Sequence, residues 1–362
     1  MPDVMSPLHF TRGKALPNRF LLAPLTNSQS HEDGTLSEEE LHWLTMRATG
    51  SFGMVMTCAA QIHPLGKGFP GQLGAFDDMH IPGLTRIADQ IRAAGSVSSV
   101  QLLHAGMRSP AKIIGEAPLC PSDNEEFGAR ALSHDEVTRT RDDFIAAAVR
   151  CDQAGLDGVE LHGAHGYLLC QFFSDEINLR DDEYGGSLEN RYRLLFEIID
   201  GVRSACRPDF TLGVRLSPER FGIRMSEAME MAATLMQGGK IDYLDMSLWD
   251  CFKEPEEEAF KGKSLLAHFA ELERGETRLG AAGNLRDPES VARAMAGGLD
   301  WVMLGRAAIL HHDFPQRYAA NPQFETVALP VTRNYLKDEG LSPSFIEYMD
   351  RWPGFVSEEA AG

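Results

Sequence analysis

The sequence predicts an α/β fold, a single-domain (β/α)8 TIM barrel with an insertion after the third strand and a C-terminal tail. Three observations predict it. Eight short apolar runs alternate with helical patterns along 362 residues. No GxGxxG follows the first run, so a doubly wound sheet lacks its usual phosphate turn. Polar residues gather at the C-terminal ends of the runs, which is where a barrel carries its chemistry. Hydrophobic residues make up 43% and charged residues 24%, a composition that fills one large core.

The first strand is Phe20 to Ala23, ended by Pro24. Ser37 with Glu40 three residues on reads as a capping box opening a helix. Met54 to Thr57 is the second strand. Pro82-Gly83 precedes a helix over Leu84 to Ala94, stopped by Gly95. The third strand, Ser99 to Leu103, leads into the insertion, about 105–132. Ser133 with Glu136 is a second capping box, and its helix runs to Ala154. The fourth strand is Gly158 to Leu161, followed by a turn at Gly185-Gly186 and a helix from Ser187 to Cys206. Thr211 to Leu216 is the fifth strand, and Ser226 caps the next helix. The sixth is Tyr243 to Met246, followed by a charged region, Lys253 to Glu276, that holds a helix. The seventh is Arg278 to Ala281, followed by a helix with Pro288 in its first turn. The eighth is Trp301 to Leu304. Residues 1–320 form the barrel, and 321–362 a tail that caps it or contacts another subunit of a homo-oligomer.

Charge narrows the partners. Lys plus Arg total 34 against 53 Asp plus Glu, a formal net charge of −19. Phosphate backbones and anionic bilayers repel such a surface, so neither nucleic acid nor a membrane is expected as a partner. No apolar run approaches the ~20 residues of a membrane span. Residues 1–10 show no basic segment followed by an apolar run, so no signal peptide is read. The six cysteines are scattered without a CxxC pair. This argues against zinc ribbons, cysteine-ligated clusters and disulfide scaffolds, and points to a reduced, cytoplasmic setting.

The strand ends supply the chemistry. They carry Pro24-Leu25-Thr26, Cys58-Ala59, Gln101 with His104, His162 through Tyr167, Arg215, Ser247 with Trp249, Gly283-Asn284 and Gly305-Arg306. Gly283 and Gly305 permit close backbone approach, and Arg306 adds a positive fork. Loops after strands seven and eight are the usual barrel phosphate site. His162 and His165 could serve as metal ligands or as a donor pair aimed at a carbonyl, with Tyr167 as proton donor. Glu160 sits two residues before His162, but no clear third ligand accompanies the pair, and no metal is expected. Arg215 lies inside an apolar strand, where it needs an anion. The tail aromatics Tyr335, Phe345, Tyr348, Trp352 and Phe355 read as packing.

Five segments together resemble the old yellow enzyme family. They are Leu22-Ala-Pro-Leu-Thr-Asn27, Gln101-Leu-Leu-His-Ala-Gly106, His162-Gly-Ala-His-Gly-Tyr167, Arg180-Asp-Asp-Glu-Tyr-Gly-Gly-Ser-Leu-Glu-Asn-Arg191, and Gly283-Asn284 with Leu304-Gly-Arg306. The similarity spans about 18–315, and the 180–191 run is the most specific part. It implies non-covalent FMN at the barrel mouth. Pro24, Leu25 and Ala59 would line the ring, and Thr26 would contact it near O4. Gln101 would pair with the pyrimidine edge, and Arg215 would sit beside N1. Gly283, Asn284, Gly305 and Arg306 would hold the phosphate.

The resemblance also implies a ping-pong reduction. NADH or NADPH delivers hydride to flavin N5 and leaves. An α,β-unsaturated carbonyl compound then enters, with its oxygen on His162 and His165. N5 returns hydride to the β-carbon, and Tyr167 protonates the α-carbon. A flavin oxidoreductase acting on nitro compounds or amines shares the cofactor site and is the alternative. This chain departs from the family pattern at Met107, interposed in the HAGR segment, and at Thr26, Ser28 and Cys58. Its length and cysteine spacing argue against the cluster-bearing dienoyl-CoA reductase type. Arg351 and Trp352 are candidates for reaching a neighbouring subunit's site.

Overall fold

A computed structural model describes residues 3–357. Eight parallel strands close into a barrel: β1 (Phe20–Leu22), β2 (Met54–Gln61), β3 (Val97–Leu103), β4 (Gly158–Gly163), β5 (Thr211–Leu216), β6 (Tyr243–Ser247), β7 (Arg278–Ala282) and β8 (Trp301–Leu304). Each strand pairs with the next, and β8 pairs with β1. The ladder places Gln101 beside Glu160, His162 beside Arg215, and Arg215 beside Asp245.

Strand alternation sorts the residues into two layers of packing. Phe20, Leu22, Val55, Val302 and Leu304 face outward into the shell between strands and helices. Leu21, Met54, Met56, Val97, Tyr243, Trp301 and Met303 fill the barrel interior, where Leu8, Phe10 and Leu16 of the N-terminal segment join them. Large and small residues share that space. A Cβ added at Gly213 would sit 2.0 Å from the Tyr243 ring, and one at Gly280 would sit 2.1 Å from the Trp301 ring. The same alternation stacks Glu160 below His162 on β4, and Asp245 below Ser247 on β6.

Helix starts follow their caps with three differences. The Ser133–Glu136 box is complete, and its helix spans His134–Gln153. At Ser37 the box is only half formed. The Ser37 hydroxyl accepts from the Glu40 N–H at 3.1 Å, but the Glu40 carboxylate is buried against Asn27, Ser30 and Cys58. Burial on the barrel-facing side wins over reciprocal capping. Ser226 is not a cap. The helix Met225–Gln237 begins one residue earlier, where the Glu257 carboxylate accepts from the Met225 N–H. The helix expected from Leu84 spans Ile81–Ala93, with Pro82 tolerated in its first turn.

The 105–132 insertion forms a short helix, Ala111–Ile114, and a two-stranded ladder of Leu119–Cys120 with Arg130–Ala131. The charged 253–276 region holds one short helix, Leu265–Ala270. The tail contributes Arg333–Asp338 and Pro343–Asp350, and its last residues, 358–362, lie outside the described part. Phe345 meets Trp43 edge-on at 4.9 Å, which anchors the tail to the first barrel helix, Glu38–Thr49. No described helix is long and apolar enough to cross a membrane.

Candidate active site

One cleft of about 1120 Å³, counting its open mouth, lies over the C-terminal ends of the strands. Pro24, Leu25, Thr26, Ala59, Gln101, His162, His165, Tyr167, Arg215, Gly283, Asn284, Gly305 and Arg306 all line it. The fold therefore brings every expected site residue together.

At the β7–β8 corner two guanidinium groups face the same space. Burial, and then the charge of Arg286, lower the Arg306 pKa. Asn284 accepts from Arg306 at 3.4 Å and donates to Asp250 at 3.1 Å. Among the described residues, neither arginine has a carboxylate within ion-pair reach. Two converging cations without a counter-ion suit a phosphate dianion, so the donor set fits the 5′-phosphate of FMN. Arg286 was not expected. It follows an apolar Leu285, and nothing in its spacing marks it as a site residue.

The cleft floor carries a buried charge layer. Arg215 was expected to find its anion in a ligand. Asp245 supplies one instead, with Oδ2 2.9 Å from Arg215 Nε. Both atoms lack an aligned hydrogen bond, as does Glu160 Oε2, so the layer is held by charge more than by directed bonds. Glu160 Oε1 accepts from Gln101 Nε2 at 2.7 Å, which places Glu160 inside the barrel. Burial and then Asp245 push the Glu160 carboxyl up to about 8. Burial moves Asp245 up to about 6 against the pull of Arg215. Two carboxylates thus share one cation.

The end of β4 shapes the reactive corner. His165 and Gly166 have φ of +61° and +69°, so the chain turns sharply there. A non-glycine residue in that region is a strained choice that sites tolerate. The turn folds His165 back onto His162, with Nδ1 of His165 3.2 Å from Nε2 of His162. The Tyr167 ring lies 5.1 Å from that of His162. Burial holds His162 well below the usual histidine range and His165 at about 3, so both are neutral. Burial raises Tyr167, which keeps its phenolic proton. Arg108 donates to the His165 carbonyl at 2.7 Å and lies 5.3 Å from the Tyr167 ring centre. The interposed Met107 packs against Cys120, so the turn Gly106–Arg108 absorbs the extra residue and still delivers Arg108. Among the described residues, no three His, Cys, Asp or Glu side chains gather as metal ligands.

The tail aromatics divide. Phe345 and Phe355 are packing, as expected, but Tyr348 and Trp352 line the cleft of their own chain. Trp249, half exposed, faces them from the end of β6. Arg351 is not among the lining residues. Tail helix Pro343–Asp350 carries Phe345 inward and Tyr348 toward the cleft, a division that its aromatic content alone does not reveal.

Comparison with known proteins agrees with this geometry. The NADH:flavin oxidoreductase / NADH oxidase family model matches residues 3–324. The probable NADH-dependent flavin oxidoreductase YqiG of Bacillus subtilis is 35% identical over 338 residues, covering 90% of both chains. The NADPH dehydrogenase of the same organism is 32% identical, covering 87% of this chain and 94% of its own. The old yellow enzyme homologue from Zymomonas mobilis superposes with a TM-score of 0.80 at 27% identity, over 95% of this chain and 99% of its own. With the barrel, the phosphate corner and these relatives in agreement, the chain belongs to the NADH:flavin oxidoreductase / NADH oxidase family, the old yellow enzymes, and is an NAD(P)H-dependent flavin oxidoreductase that uses FMN.

Proposed function

We propose that the enzyme reduces the activated C=C bond of α,β-unsaturated carbonyl compounds. The observation that carries this reading is the convergence of His162 Nε2 and His165 Nδ1 to 3.2 Å beside a half-buried Tyr167 whose pKa is raised. Bound FMN supplies the hydride relay between NAD(P)H and substrate. The protein's residues do the rest. Arg286, Arg306, Asn284, Gly283 and Gly305 would hold the phosphate. Pro24, Leu25, Thr26 and Ala59 would line the ring, while Gln101 and Arg215 would meet its polar edge. His162 and His165 bind the carbonyl oxygen and draw charge toward it. Tyr167 delivers a proton to the α-carbon, its hydroxyl held protonated by burial and its ring steadied by Arg108. Tyr348, Trp352 and Trp249 exclude water from the open side. Residues 1–320 form the catalytic barrel, and the tail, 321–362, is its cap. Six buried free thiols support a reducing, cytoplasmic setting.

The test is a pair of half-reactions. The purified protein is yellow, bleaches anaerobically with NADPH or NADH, and recovers its colour with cyclohexenone. Tyr167→Phe slows the recovery by about 10²-fold or more, the size of a lost general acid, while bleaching keeps its rate. Equal slowing of both halves refutes the role of Tyr167. Recovery with nitroaromatics or imines but no enone transfers the assignment to those substrates.

A further inference from the structure

Because both histidines are neutral, what each ring offers a ligand depends on which nitrogen carries the proton. The backbone settles His162. The Ala164 N–H lies 3.3 Å from His162 Nδ1 and can only donate, so the His162 proton is on Nε2. His165 is held differently. Its Nε2 lies 2.6 Å from Ser247 Oγ, a bond that can run either way. Ser247 Oγ also lies 3.4 Å from Arg215 Nη2, and a guanidinium has no acceptor. If His165 donated as well, the Ser247 hydroxyl proton would need a third partner. Among the described residues none is within hydrogen-bond distance, so that proton would have to point into the cleft, which Ser247 lines.

We propose that Ser247 is a positioning residue whose hydroxyl accepts from Arg215 and donates to His165 Nε2, which places the His165 proton on Nδ1. His162 Nε2–H and His165 Nδ1–H are then two donors 3.2 Å apart, aimed at one point. Two N–H groups this close repel each other until one acceptor, lying to the side of the pair, takes a hydrogen bond from both. The pair therefore selects an oxygen bearing partial or full negative charge, a polarised carbonyl or an oxyanion, and rejects an ammonium group. The His165 backbone is pinned so that the ring stays in place. Its N–H donates to Ser217 Oγ at 3.0 Å, and its carbonyl accepts from Arg108 at 2.7 Å. The carboxylate–guanidinium contact of Asp245 with Arg215 keeps Arg215 oriented toward Ser247. This assignment rests on the ene-reductase reading above and extends it to a residue that acts through His165.

The test uses FMN-loaded enzyme with ¹⁵N-labelled histidine and 4-chlorophenolate as the oxyanion probe. Nitrogen shifts should report Nε2–H for His162 and Nδ1–H for His165. In Ser247→Ala, His165 should move to the Nε2–H form, and affinity for the phenolate should fall about 10- to 100-fold, the worth of one hydrogen bond to a charged group. Ser247→Thr should restore both signals, which loss of packing alone would not explain. The proposal is overturned if His165 carries its proton on Nε2 in the wild-type complex, or if Ser247→Ala keeps Nδ1–H. Enone turnover fails independently of these shifts, so an enzyme with the expected tautomers but no C=C reduction refutes only the substrate reading.

Discussion

Replacing Glu160 with Gln should flatten the alkaline loss of stability. Glu160 lies in the barrel floor, where Oε1 accepts from Gln101 and Oε2 has no partner. Burial and then Asp245 raise its pKa from 4.5 to about 8. The folded chain therefore keeps a proton that the unfolded chain releases near 4.5. Between those pH values the folded state binds more protons, so stability is fully present below 4.5 and is lost as pH rises through about 8. At about 1.4 kcal/mol for each pH unit, the loss between pH 5 and pH 9 is on the order of 4 kcal/mol. A Gln side chain keeps the acceptor for Gln101 and does not titrate. Urea unfolding of the two proteins at pH 5, 7 and 9, with excess FMN held constant, measures the difference. The wild type should lose several kcal/mol more than the variant across the series. Parallel slopes would mean that Glu160 is already ionised in the folded protein, and the account of a shared cation would be wrong.

Three further outcomes follow from the site. Arg306→Ala should weaken FMN binding roughly 10- to 100-fold, the value of a charge-assisted phosphate bond, in a fluorescence titration of the apoprotein; a change below about threefold would place the phosphate elsewhere. Trp352→Ala should raise KM for bulky cyclic enones about fivefold, the worth of about 1 kcal/mol of aromatic contact, with FMN affinity unchanged; an unchanged KM would remove the tail from the substrate's path. Cys58→Asp would set a second carboxylate against Glu40, whose Oε1 is 3.1 Å from the present thiol. It should cost about 3 kcal/mol at pH 8 and recover on acidification or with Glu40→Gln, because one of the paired carboxyls must stay protonated.

The barrel was legible because its signal is repeated. Each of the eight expected strands overlaps an observed one, since a buried parallel strand is an unbroken apolar run ended by a turn. Starts and ends were less legible. β2 runs on to Gln61, past Thr57, because its later residues pair with β3 after a bulge between Met56 and Ala59. The 180–191 run, the most specific sequence feature, does not line the cleft. Arg180 binds Asp182, Tyr184 donates to Glu197 at 3.0 Å, and Arg191 meets Glu227 at 2.7 Å. It fastens the segment after β4 to the helices Leu188–Ala205 and Met225–Gln237. A motif can thus identify a family through its scaffold while the chemistry lies elsewhere.

What stayed hidden is what depends on pairing across strands. Asp245 and Ser247 alternate on β6 as any two polar residues might, and only register with β5 brings them to Arg215. Register is a property of closure, which no single strand encodes. The same holds for Glu40, whose place three residues after Ser37 matches a capping box. Its carboxylate is instead buried with Asn27, Ser30 and Cys58, beneath the loop that carries Thr26. Two locally ordinary carboxylates, Glu160 inside the barrel and Glu40 between the first helix and the strands, are thus buried, and burial raises both of them. Each is held without a lysine or arginine of its own. That arrangement is costly for folding alone. The Arg286–Arg306 pair, which has no carboxylate within ion-pair reach among the described residues, then remains the dominant fixed charge facing the cleft, which is the sign of field a phosphate requires.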